Sequence, residues 1–200
     1  MEIDEYLEKY KDIFREDYEF SKAFTPELHK LIISSVAKIY DYERHENPRD
    51  LEFDKKGYDA KLTIPGNPFW GKRVRRLDKV KFQDFTIDRK EWSVSKAKYY
   101  IYAYASEQPK KIYFYMIFDF AKLKKLAKEG KIKLKLEKND KHSNVYFWAI
   151  KIHDIFRNGL VIDYGGEIEF VKNIVPPEFW GQPALDKFIF ETRKGGSFES

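Results

Sequence analysis

The residues best suited to chemistry are the carboxylates and cations between residues 51 and 87. Asp59 stands at the head of an apolar–polar alternation, and a strongly basic alternating segment follows it. Carboxylates on one strand beside lysines and arginines on the next can hold a divalent metal and a phosphate together. The pattern therefore predicts phosphodiester chemistry on nucleic acid. The cations of this segment are Lys72, Arg73, Arg75, Arg76, Lys79 and Lys81.

The acids of the same region are Glu52, Asp54, Asp59, Asp78 and Asp84. A magnesium ion needs only one or two carboxylates, because water and substrate phosphate complete its shell. A nearby lysine such as Lys61 or Lys81 can orient the attacking water or stabilise the developing charge. A single aspartate on the polar face of a strand is commonly just solvated, so the neighbouring basic strand is what favours a site here.

Composition excludes several other kinds of site. The chain has no cysteine, so disulfides and thiolate metal sites are excluded, and its 4 histidines do not fall at metal-binding spacing. It has no Gly-x-x-x-x-Gly-Lys loop, no Gly-x-Gly-x-x-Gly and no Gly-x-Ser-x-Gly. No apolar run is long enough to span a bilayer, and the acidic N-terminus does not resemble a signal peptide. We expect a cytoplasmic protein without a membrane partner.

The charge is unevenly distributed along the chain. Lys plus Arg number 38 against 33 Asp plus Glu, and the net charge is +5 although residues 1–20 are strongly acidic. A basic body favours a nucleic-acid partner. The acidic first helix could instead pair with the basic face of a second copy, which would give a homodimer. Abundant Lys and Glu without Cys is also typical of a thermophile or its virus.

Hydrophobic periodicity predicts two helices followed by strands. Apolar residues recur at helical spacing over residues 3–20, and Thr25 with Pro26 begins a second helix that ends near Asn47. The period then changes to two over 58–64, 72–78 and 80–87. Residues 91–98 read as a short helix, 99–105 and 111–118 as buried strands, and 120–128 as a helix capped by Asp119.

Further strands are predicted over 131–138 and 144–152, and residues 153–200 read as loops, short strands and a frayed end. This pattern predicts an α/β (α+β) fold with a central mixed β-sheet flanked by helices and with two N-terminal helices. We expect a single domain over residues 1–200. Its parts would be an acidic helix at 1–22, a core at 25–152 and a C-terminal extension at 153–200.

The order of four segments resembles the PD-(D/E)XK nuclease-like superfamily, especially its phage- and virus-encoded members. The segments are GYDAKLTI, KRVRRLDKVKFQDFTID, KAKYYIYAYA and KIYFYMIFDFAKLKKL, within residues 25–130. The resemblance implies a restriction-endonuclease-like fold, with a helix before a mixed sheet. It also implies a metal-dependent nuclease that acts on DNA phosphodiester bonds with Mg²⁺ as its cofactor.

The resemblance also implies roles for particular residues. Asp59 matches the first acid of the superfamily, and Glu27 or Glu43 would supply the glutamate of the leading helix. The metal ligands would then be Asp59, Asp78, Asp84 and Glu27. The catalytic residues would be Asp59, Lys61 and Lys81. The DNA backbone would be bound by Lys72, Arg73, Arg75, Arg76 and Lys79.

The acid-x-lysine pair of the third strand is where the chain departs from the superfamily. If that strand is 72–77, Arg73 and Arg75 stand at the acid and lysine positions of the pair. If it is 80–87, Gln83 and Asp84 are the polar candidates and Lys81 is the base. A third choice is Asp59-Ala-Lys61 itself with Asp54 as the earlier acid. A basic side chain at the position of a metal-binding carboxylate would repel the metal ion. The alternative is therefore a catalytically inactive nucleic-acid-binding or protein-interaction module on the same fold.

Overall fold

A long helix, α1 (Thr25–Glu46), lies across one face of the fold. The computed structural model describes residues 19–46, 70–77, 83–139 and 142–180. Leu28, Ile32, Val36 and Ile39 recur three or four residues apart along α1, and all four are buried. The helix begins at the predicted Thr25 and ends just before Asn47, so this prediction is confirmed.

Seven strands and four shorter helices follow α1 in the described part of the chain. In chain order they are β1 (Trp70–Arg76), β2 (Asp84–Asp88), α2 (Arg89–Val94), β3 (Tyr99–Glu107), β4 (Lys110–Asp119), α3 (Phe120–Lys128), β5 (Lys135–Asn139), β6 (His142–Lys151), α4 (Ile152–Arg157), β7 (Val161–Gly166) and α5 (Ile168–Ile174). A 3₁₀ turn at Pro177–Phe179 is the last element of the described part of the chain.

The strands form two sheets. The first has four strands in the order β1-β3-β4-β7, with β1 parallel to β3 and the other pairs antiparallel. The second has three antiparallel strands in the order β2-β6-β5. The mixed central sheet flanked by helices confirms the predicted α/β (α+β) class.

The four-stranded sheet is covered on both faces. Alternate residues such as Ile101 and Ile117 pack with α1, whereas Tyr100, Tyr102 and Phe118 pack with the second sheet and the shorter helices. Phe85 of β2 contacts the rings of Tyr100, Tyr102 and Phe118 edge-on, with centroids 5.0–5.3 Å apart. Burial on both faces explains why β3 and β4 are apolar or aromatic at nearly every position.

Local signals also account for the boundaries of α3. Asp119 accepts a hydrogen bond from the backbone N–H of Lys122 at 2.7 Å, as expected of an N-cap. Gly130 follows the helix with φ 72°, a conformation that glycine adopts without strain. Both helix limits agree with the prediction for residues 120–128.

Some predictions were wrong, and others concern residues outside the described ranges. The helices α4 and α5 lie where loops and short strands were expected, because helices of 6 and 7 residues are too short for a clear period. The predicted strand 131–138 is paired only over Lys135–Asn139, and Ile132, which precedes it, is buried. The predicted helix over 3–20 and strand over 58–64 fall mostly or wholly outside the described ranges, as does the C-terminal end from residue 181.

Among the described residues, no helix combines the length and the apolar character that crossing a membrane requires.

Candidate functional site

Five of the predicted site residues lie outside the described ranges. They are Asp59, Lys61, Asp78, Lys79 and Lys81. The remaining ones lie on three elements: Glu27 on α1, Asp84 on β2, and Lys72, Arg73, Arg75 and Arg76 on β1.

The pleat of β1 divides its four cations between the two faces of the sheet. Val74 packs against α1, so Lys72 and Arg76, two residues away on either side, face the same way. Arg76 lies over the ring of Phe20, with its guanidinium carbon 4.6 Å from the centroid. Arg73 and Arg75 face the second sheet instead. The structure therefore does not bring all four together as one ribbon.

Arg73 takes part in a polar network between the two sheets. Its guanidinium donates to Glu91 of α2 at 2.9 Å and to the backbone carbonyl of Thr86 at 3.4 Å. Tyr100 donates to the other oxygen of Glu91 at 2.8 Å. Burial is the largest single influence and lowers the pKa of Arg73, but Glu91, together with smaller contributions from Tyr100, Tyr102 and Asp88, raises this pKa above its ordinary value. The guanidinium is thus committed to holding β1, β2 and α2 together.

Asp84 and Glu27 lie on opposite sides of the four-stranded sheet, so the structure does not bring these two predicted ligands together. Asp84 is 8% exposed, and its Oδ1 atom lies 2.8 Å from Lys151 Nζ. Glu27, in the first turn of α1, pairs with Lys110 at 2.9 Å. Each carboxylate therefore already has a lysine partner.

A second group of polar residues, which was not predicted from the sequence, lies beneath the C-terminal half of α1. Ser35, Lys38, Tyr42 and Glu43 lie on this half of the helix and contact polar residues at the end of the sheet. Val36 and Ile39 of the same half continue the buried apolar stripe of Leu28 and Ile32. The buried side of this half therefore combines an apolar stripe with polar side chains beside it.

Glu43 and Asp119, here called the acid pair, form the centre of this group. Both are buried, at 5% and 7% exposure. Oε1 of Glu43 lies 2.5 Å from Lys98 Nζ. Asp119 accepts from Tyr42 OH at 3.2 Å and from the backbone N–H of Lys122 at 2.7 Å, and both of these donors are uncharged.

The electrostatics of the acid pair follow from this geometry. Burial raises the pKa of Asp119, and the negative charge of Glu43 raises it further. The hydrogen bonds from Lys122 and Tyr42 and the charge of Lys98 act in the opposite direction. Two carboxylates beside one ammonium leave a surplus of negative charge when both are ionised.

Asp163 of β7 forms a separate buried group beside the acid pair. It is 2% exposed and accepts from Ser35 Oγ at 2.5 Å, from Tyr115 OH at 3.2 Å and from Lys38 Nζ. A register shift between β4 and β7 pairs Asp163 with Ile117 and thereby turns its side chain toward α1. Strict alternation from the core residue Val161 would have turned it the other way.

The acid pair also lies near the described residues on either side of positions 47–69, the segment that contains Asp59 and Lys61. In the strand register, Trp70 pairs with Tyr99, and Tyr99 pairs with Asp119. On the other side of the segment, α1 ends at Glu46, within one turn of Glu43. The described residues that flank positions 47–69 are therefore both close to the acid pair.

The donor set of the acid pair suits a hard cation. Carboxylate oxygens are the ligands that Mg²⁺ prefers, and one or two of them suffice when substrate phosphate completes the shell. Across the four described ranges, no three Asp, Glu, His or Cys side chains are grouped so that they could hold a metal ion. The site therefore offers two carboxylates, a lysine ammonium and a tyrosine hydroxyl.

Part of this site could be found from the sequence. Asp119 was identified as a helix cap, and Glu43 was one of two glutamates considered for the leading helix. Lys98 gave no signal, because a lysine between a short helix and a strand is common on any surface. Asp163 gave none either, because the bulge that directs it inward is a property of strand pairing.

Comparisons with known proteins give no relative for this chain. No protein-family model matches it, no curated protein matches it, and no solved structure matches its fold.

Proposed function

We propose that this protein is a metal-dependent nuclease that acts on DNA phosphodiester bonds, with the acid pair as the centre of its site. The observation that carries the proposal is the meeting of Glu43 from the leading helix, Asp119 from the end of β4 and Lys98 from the loop just before β3. A helix acid, a strand acid and a lysine are the groups that the resemblance to PD-(D/E)XK nucleases implies.

Each residue would have a distinct role. Glu43 and Asp119 would hold Mg²⁺, which when bound polarises a phosphate and makes its water more acidic. Lys98 would stabilise negative charge on the phosphate, and its own charge favours the ionised form of Asp119. Tyr42 would orient Asp119 through its hydroxyl. Asp59 and Lys61 remain predicted members of the site, since the described flanks of their segment adjoin it.

The side of the sheet that carries the acid pair also carries cations for the DNA backbone. Lys72 is exposed and Arg76 is half-buried on this side of β1. Arg75 faces the other way, and Arg73 is bonded to Glu91. We therefore propose Lys72 and Arg76 as the backbone contacts from β1.

The test is Mg²⁺-dependent cleavage of plasmid and single-stranded DNA by the full chain. Asp119→Asn removes the charge but keeps an oxygen to cap α3, and Glu43→Gln is its counterpart on the helix. We expect either change to lower the cleavage rate by at least about 100-fold, since even residues that support metal ligands cost 10–100-fold. Circular dichroism would confirm that both variants fold.

Two further variants distinguish this site from the one predicted by sequence. Asp84→Asn changes a similarly buried acid on the far side of the sheet, and Asp59→Asn changes the acid first predicted. Loss of cleavage in Asp84→Asn with full activity in Asp119→Asn and Glu43→Gln would overturn the acid pair as the site.

A second candidate is a nucleic-acid-binding module without catalysis. The observation that favours it is that lysines already neutralise two of the three acids beneath α1, Glu43 through Lys98 and Asp163 through Lys38. This function predicts DNA binding that weakens steeply with salt and yields no product with any divalent metal.

The predictions of a homodimer, a cytoplasmic location and a thermophilic source do not depend on the acid pair. A homodimer through the acidic N-terminal helix predicts an elution volume in size-exclusion chromatography that shifts toward the monomer at high salt. A cytoplasmic location and a thermophilic source remain predictions from composition.

A further inference from the structure

The solvent side of α3 carries lysines without acids. Phe120 and Leu123 are buried, whereas Ala121, Lys125 and Lys128 are exposed. At 3.6 residues per turn these three positions form one stripe along the helix. The helix contains no acidic residue within its limits. Its exposed stripe is thus entirely cationic apart from one small residue.

The loop that precedes β3 extends this stripe. The backbone N–H groups of Phe120 and Ala121 donate to the carbonyl of Lys98 at 2.8 and 3.1 Å. Lys124 Nζ donates to the carbonyl of Ser95 at 2.9 Å. These bonds hold residues 95–98 against the start of α3, so exposed Lys96 lies beside the stripe. We name the surface formed by Lys96, Lys125 and Lys128 the α3 surface.

The α3 surface is continuous with the acid pair. Asp119 is the N-cap of α3, and Lys98, which pairs with Glu43, ends the loop that carries Lys96. Lys122, in the first turn of α3, lies 6.0 Å from the ring centroid of Tyr42. A strand bound along α3 would therefore reach the acid pair at the N-terminal end of the helix.

Unlike many other lysines of the protein, Lys96, Lys125 and Lys128 form no ion pair within 4 Å of a carboxylate among the described residues. Glu129 at the end of α3 pairs with Lys131 and interacts with Lys125 only at longer range. Elsewhere Lys110 pairs with Glu27, and Lys151 pairs with Asp84. Lys125 and Lys128 are separated by about 4.5 Å along the helix axis. This is comparable with the axial spacing of phosphates, about 3.4 Å along one strand of a duplex. Cations at such spacing suit a polyanion more than a single anion.

We infer that the α3 surface binds the phosphate backbone of a nucleic-acid strand and directs that strand to the acid pair. The inference rests on the proposed function, because the ligand is the DNA on which the acid pair would act. It places the main backbone contact on α3 and the loop 95–98, whereas the sequence had pointed to β1.

The experiment measures the binding of fluorescein-labelled duplex and single-stranded DNA by anisotropy over a series of salt concentrations, without divalent metal. The test variant carries Lys96→Gln, Lys125→Gln and Lys128→Gln. The control variant carries Lys30→Gln, Lys138→Gln and Lys172→Gln, which removes the same charge from exposed positions elsewhere. Thermal melting of both variants checks that they fold.

We expect the test variant to bind at least tenfold more weakly. For duplex DNA its plot of log affinity against log salt should be shallower by about 0.9 for each phosphate that is no longer neutralised, or roughly 2–3 in all. The control should keep the slope of the natural protein. An equal reduction of affinity in both variants, or an unchanged affinity in the test variant, would overturn the inference. Displacement of the DNA by polyglutamate at the same concentration of negative charge would also overturn the inference.

Cleavage assays separate this inference from the proposed function. Binding that depends on the α3 surface without cleavage at any metal concentration would overturn the nuclease proposal and support the inference. Cleavage that is abolished in Asp119→Asn, together with unchanged binding in the test variant, would support the nuclease and overturn the inference.

Discussion

The two faces of the four-stranded sheet both bury charged side chains, but they balance those charges differently. On the face toward the second sheet, Arg73 meets Glu91, and Tyr100 donates to the same carboxylate. On the face toward α1, Glu43 and Asp119 share the neighbourhood of one lysine, Lys98. The Arg73–Glu91 pair is electrically balanced, whereas the acid pair with Lys98 holds more negative than positive charge.

This difference separates a structural polar network from a candidate site. A buried ion pair with all its hydrogen bonds made joins the elements around it and leaves little capacity for a ligand. A surplus of buried negative charge is costly unless a cation or a proton neutralises it. The raised pKa of Asp119 is the signature of that cost. We therefore expect function on the α1 face, and the four changes below test that comparison.

The largest effect is expected in the core on the second-sheet side. Phe85→Ala removes a ring that contacts Tyr100, Tyr102 and Phe118 edge-on. We expect the free energy of unfolding to fall by about 3–5 kcal/mol, because the cavity adds to the transfer energy of the missing ring. Urea denaturation measures it. A decrease below about 1 kcal/mol would show that this face does not dominate stability.

The next effect concerns the polar network of the same face. Arg73→Met keeps much of the side-chain volume but leaves Glu91 without its cation. We expect a decrease of about 2–3 kcal/mol in the free energy of unfolding, at the lower end for a buried pair because Glu91 is partly exposed. The double variant Arg73→Met with Glu91→Met should recover part of it. A double variant no more stable than the single one would contradict this account.

The third change tests the surplus charge on the α1 face through its pH dependence. The pKa of Asp119 is raised above its ordinary value of 3.8, so the folded protein binds this proton more tightly than the unfolded chain. The resulting stabilisation is complete below pH 3.8 and is lost as the pH rises through the folded pKa. Asp119→Asn has no such proton. Its stability relative to the natural protein should therefore increase with pH across this window.

Urea denaturation of both proteins at a series of acidic pH values measures that difference. Any constant destabilisation from the altered hydrogen bond with Tyr42 shifts the whole curve and leaves its slope unchanged. If the unfolding free energy of Asp119→Asn relative to the natural protein stays constant or falls as the pH rises, burial does not destabilise the charged form of Asp119.

The smallest effect is expected at an exposed ion pair, which sets the baseline for the buried ones. Lys110 and Glu27 are 2.9 Å apart, and their side chains are 50% and 37% exposed. We expect Lys110→Gln to cost less than about 1 kcal/mol, and less still at high salt. Thermal melting at two salt concentrations measures it. A larger effect that persists in high salt would mean that exposure is a poor guide to the energetics of these pairs.

The sequence predicted elements better than it predicted the site. Asp119 precedes a helix because its side chain accepts a hydrogen bond from a free backbone N–H group, a signal carried within a few residues. The four cations of β1 looked like one ribbon because they are adjacent in sequence, yet a strand sends alternate side chains to opposite faces. Which face each one meets depends on the layers above and below the sheet.

The helix α1, the caps and the doubly buried strands β3 and β4 were determined by the sequence alone, because short-range periodicity and hydrogen bonding encode them. Only the tertiary structure brought Glu43 of the helix to Asp119 and Lys98 at the end of the sheet, and only a shift in strand register turned Asp163 toward Lys38. The reason is physical: helix and strand signals arise between near neighbours, whereas buried charges acquire partners only through the packing of distant segments.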